Sequence, residues 1–220
     1  MQNSIRSTIE TFKTVLANEI PKVWDGRKSI IQMKDEGSRH WRQLEWMGFY
    51  FEHLCARSLR DISEVPSPHK YGKVVFDCFK DIDWDFKAHA QNTSSHQIIV
   101  NDTQAIMSSI DRFGALGLIL AVGKVIYNDE NRTFQKWHEE MKGGMSTYSK
   151  TRIARGAWSR LRKVEFDLQQ ISFILIKIKT LEKCGSFQKD FRNANGSPRN
   201  IKVLLDLEKI DSEIIDTIEY

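Results

Sequence analysis

The segment Asp81-Ile82-Asp83-Trp84-Asp85-Phe86-Lys87-Ala88-His89 alternates polar and apolar residues, and another acid, Asp77, closes the apolar run Val74-Val75-Phe76 just before it. Alternation of period two marks a strand, so Asp83, Asp85, Lys87 and His89 share one face while Trp84, Phe86 and Ala88 share the other. The two runs read as a hairpin whose reversal, through Cys78 to Asp81, sets Asp77 opposite Asp85. Two carboxylates with open positions between them suit Mg²⁺, a hard cation that keeps several waters and completes its shell with phosphate oxygens. A lysine beside them can orient an attacking water and stabilise charge on a phosphoryl group in transfer. An exposed hairpin of alternating charge is the plain alternative.

The elements around this hairpin must hold it. Apolar spacing predicts a helix over Ile5 to Val23, capped by Asn3 or Ser4, and a second from about Ser38 through Leu59. The second helix carries more apolar residues than one stripe needs, so it is expected between core and partner, with Glu52 facing either outward or the acids. Trp46-Met47 within it reads as core or as a wedge against bases. After Lys87 come a short strand, Gln97 to Val100, an Asn101/Asp102 cap, a helix through Phe113 closed by Gly114, and the apolar run Ala115 to Val122. That run fits a strand buried on both faces, reached by a right-handed crossover in a mixed sheet. A helix over Thr133 to Met141, a strand over Ser172 to Ile178 and a helical tail after Ile201 (Leu204, Leu205, Leu207, Ile210, Ile214, Ile215) complete the expectation. The class is α/β, a mixed central β-sheet flanked by helices.

An acid at a strand end, a spacer and then Asp85-Phe86-Lys87 on a second strand, between a helix and a helix-plus-strand, resembles the PD-(D/E)xK nuclease superfamily, and within it the type II restriction endonucleases. The resemblance covers about Trp41 to Tyr127. It implies a restriction-endonuclease-like fold in which Asp77 and Asp85 bind Mg²⁺, Lys87 assists the water, and Glu52 from the preceding helix adds a carboxylate. Phe76 stands where the family has proline and the spacer is short, so Asp83 competes with Asp77 for the first metal position.

Charge is segregated. Met141 to Lys163 holds seven Lys or Arg and no Asp or Glu, a charge of +7 against +4 for the whole chain, which leaves the remainder at −3. Clustered cations focus a field on a polyanion better than overall basicity does. Lys142, Ser146, Lys150, Arg152, Arg155, Arg160 and Arg162 are the candidate DNA contacts, with Gly143, Gly144 and Trp158 beside them; a solvated charged face is the plain alternative. His89 and His96 are further candidates for phosphate contact, His89 reading more readily as a structural residue.

Small phosphate esters need no cationic surface of this length, and a simple DNA binder gains nothing from strand carboxylates that repel the duplex. Together the features favour phosphodiester hydrolysis on double-stranded DNA by a Mg²⁺-dependent homodimer, two-fold symmetry matching a palindromic site. A repair or recombination nuclease of the same fold and a non-catalytic DNA-binding regulator are the alternatives. The 220 residues fit one domain, core about 41–127 and basic segment about 141–163. Three scattered cysteines suggest free thiols, and the chain lacks an apolar leader or spanning run, pointing to a cytoplasmic protein.

Overall fold

The computed structural model describes residues 2–66, 76–157, 161–188, 197–198 and 200–220. Its backbone is a six-stranded mixed sheet with helices on both faces, joined to a three-stranded antiparallel sheet. Along the chain run α1 (Gln2–Glu19), β1 (Val23–Asp25), α2 (Gly26–Asp35), α3 (Trp46–Ser58), β2 (Cys78–Lys80), β3 (Ile82–Ala90), β4 (Gln97–Asp102), α4 (Thr103–Phe113) and β5 (Leu116–Tyr127). Then follow α5 (Thr133–Met141), α6 (Thr147–Ala154), β6 (Lys163–Ile176), α7 (Ile178–Cys184), β7 (Gly185–Gln188), β8 (Lys202–Asp206) and β9 (Ile214–Glu219). No helix among the described residues is long and apolar enough to cross a membrane.

The large sheet runs β1-β6-β5-β3-β2, with β9 also pairing β6. β3 and β5 are parallel, Trp84 opposite Gly117 and Lys87 opposite Leu120, and β5 pairs antiparallel with β6. β5 is buried on both faces, as its unbroken apolar run requires. Leu116, Leu118 and Leu120 point into one apolar cluster with α4 and the small sheet, order β4-β8-β7. Ile119, Ala121 and Val125 point into a second, larger cluster with α1, α2 and α3. The crossover between the parallel strands passes through α4, whose Ile106, Ser109 and Ile110 are buried. Gly114 ends that helix at φ 77°, and its N–H returns to the carbonyl of Ile110 at 2.7 Å. A residue with a Cβ is strained in that left-handed conformation.

Several expected elements change. The first helix stops at Glu19 because Pro21 cannot continue it, and Val23–Asp25 instead pairs with β6, burying Trp24 to 1% exposure. The predicted helix over Ser38 to Leu59 is two pieces: Ser38 caps a 3-10 turn at Arg39–Arg42, and α3 begins only at Trp46. The strand expected at Val74-Val75 lies outside the described residues. The first hairpin strand is Cys78–Lys80, and the reversal is at Asp81, φ 60°, where the Thr8 hydroxyl donates to its carboxylate at 2.6 Å. The predicted helical tail is extended: Val203 and Leu205 face inward from β8, and Ile214–Glu219 lines β6. Open strand edges on β4 and β6 offered these segments a hydrogen-bonded ladder, and that pairing outweighed the apolar spacing.

Trp84 and Gly117 show how tightly β3 is held. A Cβ on Gly117 would lie 2.2 Å from the Trp84 indole, so the ring fills the space that glycine leaves. Gly117→Ala is expected to lower unfolding free energy by about 1–3 kcal/mol through overpacking. Gly48→Ala, in α3 with nothing within 4 Å of the new Cβ, is expected to raise it by about 0.5–1 kcal/mol through helix propensity. Urea melts of the two variants check the opposite signs.

Candidate active site

Among the described residues, β2 pairs with β3 only as far as Cys78 opposite Trp84. Asp77 continues the ladder by other means. Its N–H donates to the Trp84 carbonyl at 2.9 Å, and its Oδ2 accepts from the Phe86 N–H at 2.6 Å. The Phe86 carbonyl on the same edge accepts from Lys87 Nζ at 3.1 Å. Both edge groups of Phe86 are therefore satisfied by side chains of the candidate site, a backbone requirement that fixes where those side chains stand.

Lys87 Nζ also lies 2.5 Å from Asp85 Oδ2, with the lysine side chain 28% and the aspartate side chain 3% exposed. That Oδ2 is buried, yet no donor among the described residues is aligned to hydrogen-bond it. Burial of a carboxylate is costly unless it is paired. Burial raises the pKa of Asp85; Lys87 opposes the rise, Asp77 adds to it, and the net effect carries the group up to about 7. Asp77 is raised too, by burial, against the pull of Lys87 and the Phe86 N–H. Burial thus favours the protonated form of both carboxyls, and the charge of Asp77 adds to that bias at Asp85. For Lys87, burial pulls the ammonium down but Asp85, Asp77 and Glu52 outweigh it, so it is held as a cation.

Glu52 comes from the helix on the other side of the edge. Phe51, Leu54 and Cys55 bind α3 to the core, and the turn between them directs Glu52 toward the same acids. Burial and the charges of Asp77 and Asp85 lift its pKa to about 8, with Lys87 opposing. Glu52, Asp77, Asp85 and Lys87 thus perturb one another as a single set. Asp83 is not in it: it sits opposite Phe79 within the hairpin, so the acid brought beside Asp85 is Asp77.

Sequence reasoning missed His40. It lies on the 3-10 turn, its ring 4.6 Å from that of Phe49. Burial lowers its pKa while Asp77 opposes the fall, which locates the ring near the first acid. Only the Ser38 cap hinted at a turn there, and nothing in the sequence tied that turn to Asp77. The neighbouring Trp41 carbonyl accepts from His138 Nε2 at 2.7 Å, and Arg42 donates to the Lys142 carbonyl at 3.3 Å. The turn therefore joins the carboxylate set to the start of the basic segment.

That segment is divided by the fold. Lys150 and Arg155 are exposed, and Arg152 Nε donates to the Ala157 carbonyl at 3.2 Å. Ser146 is the N-cap of α6, accepting from the Ser149 N–H, so its hydroxyl oxygen serves the helix. Arg162 is drawn inward to 12% exposure beside Glu45, and Lys142 is half-buried. Arg160 and Trp158 lie outside the described residues. Of the other candidates, Trp46 and Met47 are core at 1% and 4% exposure, His96 lies 3.4 Å from Glu208, and burial lowers the pKa of half-buried His89.

Among the described residues, no three His, Cys, Asp or Glu side chains are grouped so as to hold a metal ion. What fits a divalent cation is the smaller donor set of Asp77 and Asp85: burial favours a proton on each, and a cation would take a proton's place beside the unaligned Asp85 Oδ2, with waters completing the shell. Comparison with protein-family models, curated proteins and solved structures gave no match to the chain.

Glu52 yields a pH test. Its folded pKa of about 8 stands above the ordinary 4.5, so across that window the native state binds more protons and stability falls as pH rises. Glutamine keeps the shape of the protonated acid without the cost of ionisation. Glu52→Gln is expected to melt with the wild type near about pH 5 and roughly 2–8 °C higher near about pH 8.5, without metal. Melting curves that coincide at both pH values would contradict the burial of this acid.

Proposed function

We propose that the chain is a Mg²⁺-dependent endonuclease that hydrolyses phosphodiester bonds of double-stranded DNA, with a restriction-endonuclease-like core and the role of a type II restriction enzyme. The observation that carries this reading is the Asp77-Asp85-Lys87 set gathered at the Phe86 edge of β3, with Glu52 of α3 within its field. The order α3, hairpin, α4 and parallel β5 supports it, since it matches the element order that accompanies the motif in the resembling family.

In this reading Asp77 and Asp85 hold Mg²⁺, and the ion when bound supplies Lewis-acid polarisation of a phosphate oxygen and neutralises developing charge. Lys87, kept protonated by the acids around it, donates a hydrogen bond that orients the attacking water and stabilises the transferring phosphoryl group. Glu52, held protonated near neutral pH by burial and by the charges of Asp77 and Asp85, ionises once those charges are balanced and then accepts a proton from the water. Cations of the basic segment neutralise phosphates beyond the cut, and a second copy of the chain related by a two-fold axis cuts the other strand.

Lys87→Ala is expected to lower Mg²⁺-dependent cleavage of plasmid DNA by about 10²-fold or more while leaving duplex binding in Ca²⁺ within about twofold. Full cleavage by that variant would remove the site. Asp77→Asn is expected to abolish cleavage and Asp83→Asn to spare it; the reverse pattern would assign the first acid to Asp83. Sequencing the ends of digested mixed DNA separates a fixed site from branched or unspecific cutting.

A further inference from the structure

The starts of α3 and β6 and the end of α5 meet at the 3-10 turn, and their cations crowd together. Arg162 Nη1 lies 3.4 Å from one oxygen of Glu45 and Lys163 Nζ 3.3 Å from the other. Trp46 Nε1 donates to the Lys163 carbonyl at 2.8 Å, which pins β6 to the head of α3. Arg42 Nη2 reaches the Lys142 carbonyl, with its guanidinium 4.9 Å from the Trp41 ring centroid. Burial lowers the pKa of Lys142 against the pull of Glu139, and Arg162 and Arg42 lower it further, so these three cations stand within reach of one another's fields.

The cluster is incompletely satisfied. Arg162 is 12% exposed, and its Nε is a buried donor without a hydrogen-bond partner among the described residues. A buried unpaired donor is costly, and a guanidinium edge fits the oxygens of a phosphate. Glu45, by contrast, is 66% exposed. It is the residue before α3 and makes no capping hydrogen bond there, so its carboxylate is free to leave the cations without cost to the helix.

We propose that Arg42, Lys142, Arg162 and Lys163 form a docking site for a backbone phosphate of the DNA strand, and that Glu45 holds its place as a counter-ion until the strand binds. The proposal rests on the nuclease reading and adds a place to it. Glu45, the residue before α3, precedes Glu52 by seven residues, which is about 10 Å along the helix axis, or the axial rise of about three nucleotides. The docked phosphate is therefore a near neighbour of the bond cut beside Glu52. It fixes the register of the strand, and displacement of Glu45 makes the protein discriminate against anions too weak to compete with an internal carboxylate.

The test is fluorescence anisotropy of the full chain with a short DNA duplex in Ca²⁺ over a range of salt. Glu45→Gln removes the competitor and is expected to tighten binding about threefold to fivefold, the worth of an exposed ion pair. It is also expected to steepen the salt dependence by about one counter-ion. Arg42→Gln is expected to weaken binding and flatten the salt slope by about one. Unchanged or weaker binding by Glu45→Gln with a wild-type melting curve overturns the placeholder. Should Glu45→Gln fail to fold, unchanged affinity and slope for Arg42→Gln overturn the phosphate site. A wild type that binds no duplex at low salt overturns the nuclease reading, and this site with it, whereas failure of the variants alone leaves that reading standing.

Discussion

A carboxylate at 2% exposure on β3, the strand next to the end of the large sheet, is the constraint around which the rest is arranged. Asp85 must be neutralised where it stands, and three features contribute to that neutralisation. They are the Lys87 ammonium, the proton that burial favours on the acid itself, and the position beside Asp77 proposed for a divalent cation. None of these can be moved independently. Lys87 is anchored by the Phe86 carbonyl and Asp77 by the Phe86 N–H, so one peptide edge holds both partners of the buried acid.

The packing explains why that edge is stiff. Trp84 fills the space over Gly117 on one face of β3, and its indole meets Phe12 of α1 edge-on at 5.5 Å. On the adjoining strand, Leu118 and Leu120 are sealed by α4 and the small sheet. β3 is anchored in the larger apolar cluster through Ile82, Trp84, Phe86 and Ala90 and paired to β5, which is buried in both clusters, so its charged side chains stand on a rigid element. The short β2 completes the arrangement by stopping early: had it continued past Trp84, its backbone would have taken the Phe86 groups that Asp77 and Lys87 occupy.

Asp85, Lys87 and the two-sided burial of β5 were legible because period-two alternation and an unbroken apolar run are local signals. Asp77 and Asp83 were both legible as candidates, since both lie near the turn; what the sequence did not show is that the Phe86 N–H ties Asp77 to the edge carrying Asp85 and Lys87. His40 and Arg42 were invisible, because their importance comes from a turn that packs against distant segments rather than from spacing of their own. The tail failed for a related reason: Leu204-Leu205 and Ile214-Ile215 suit a helical stripe as well as a strand, and the open edges of β4 and β6 settled the matter. In the basic segment, composition gave the charge but not its orientation, which turned Arg162 inward and left Lys150 and Arg155 outside.

In the proposed Mg²⁺ site the cation takes the place of a proton that burial favours on Asp77 and Asp85. Calorimetric titration of the full chain with Mg²⁺ near neutral pH, repeated in buffers of different ionisation enthalpy, counts the protons released on binding. The expected result is saturable binding with release of about one proton, lost in Asp77→Asn. Binding with no proton released, or none at all, would contradict it.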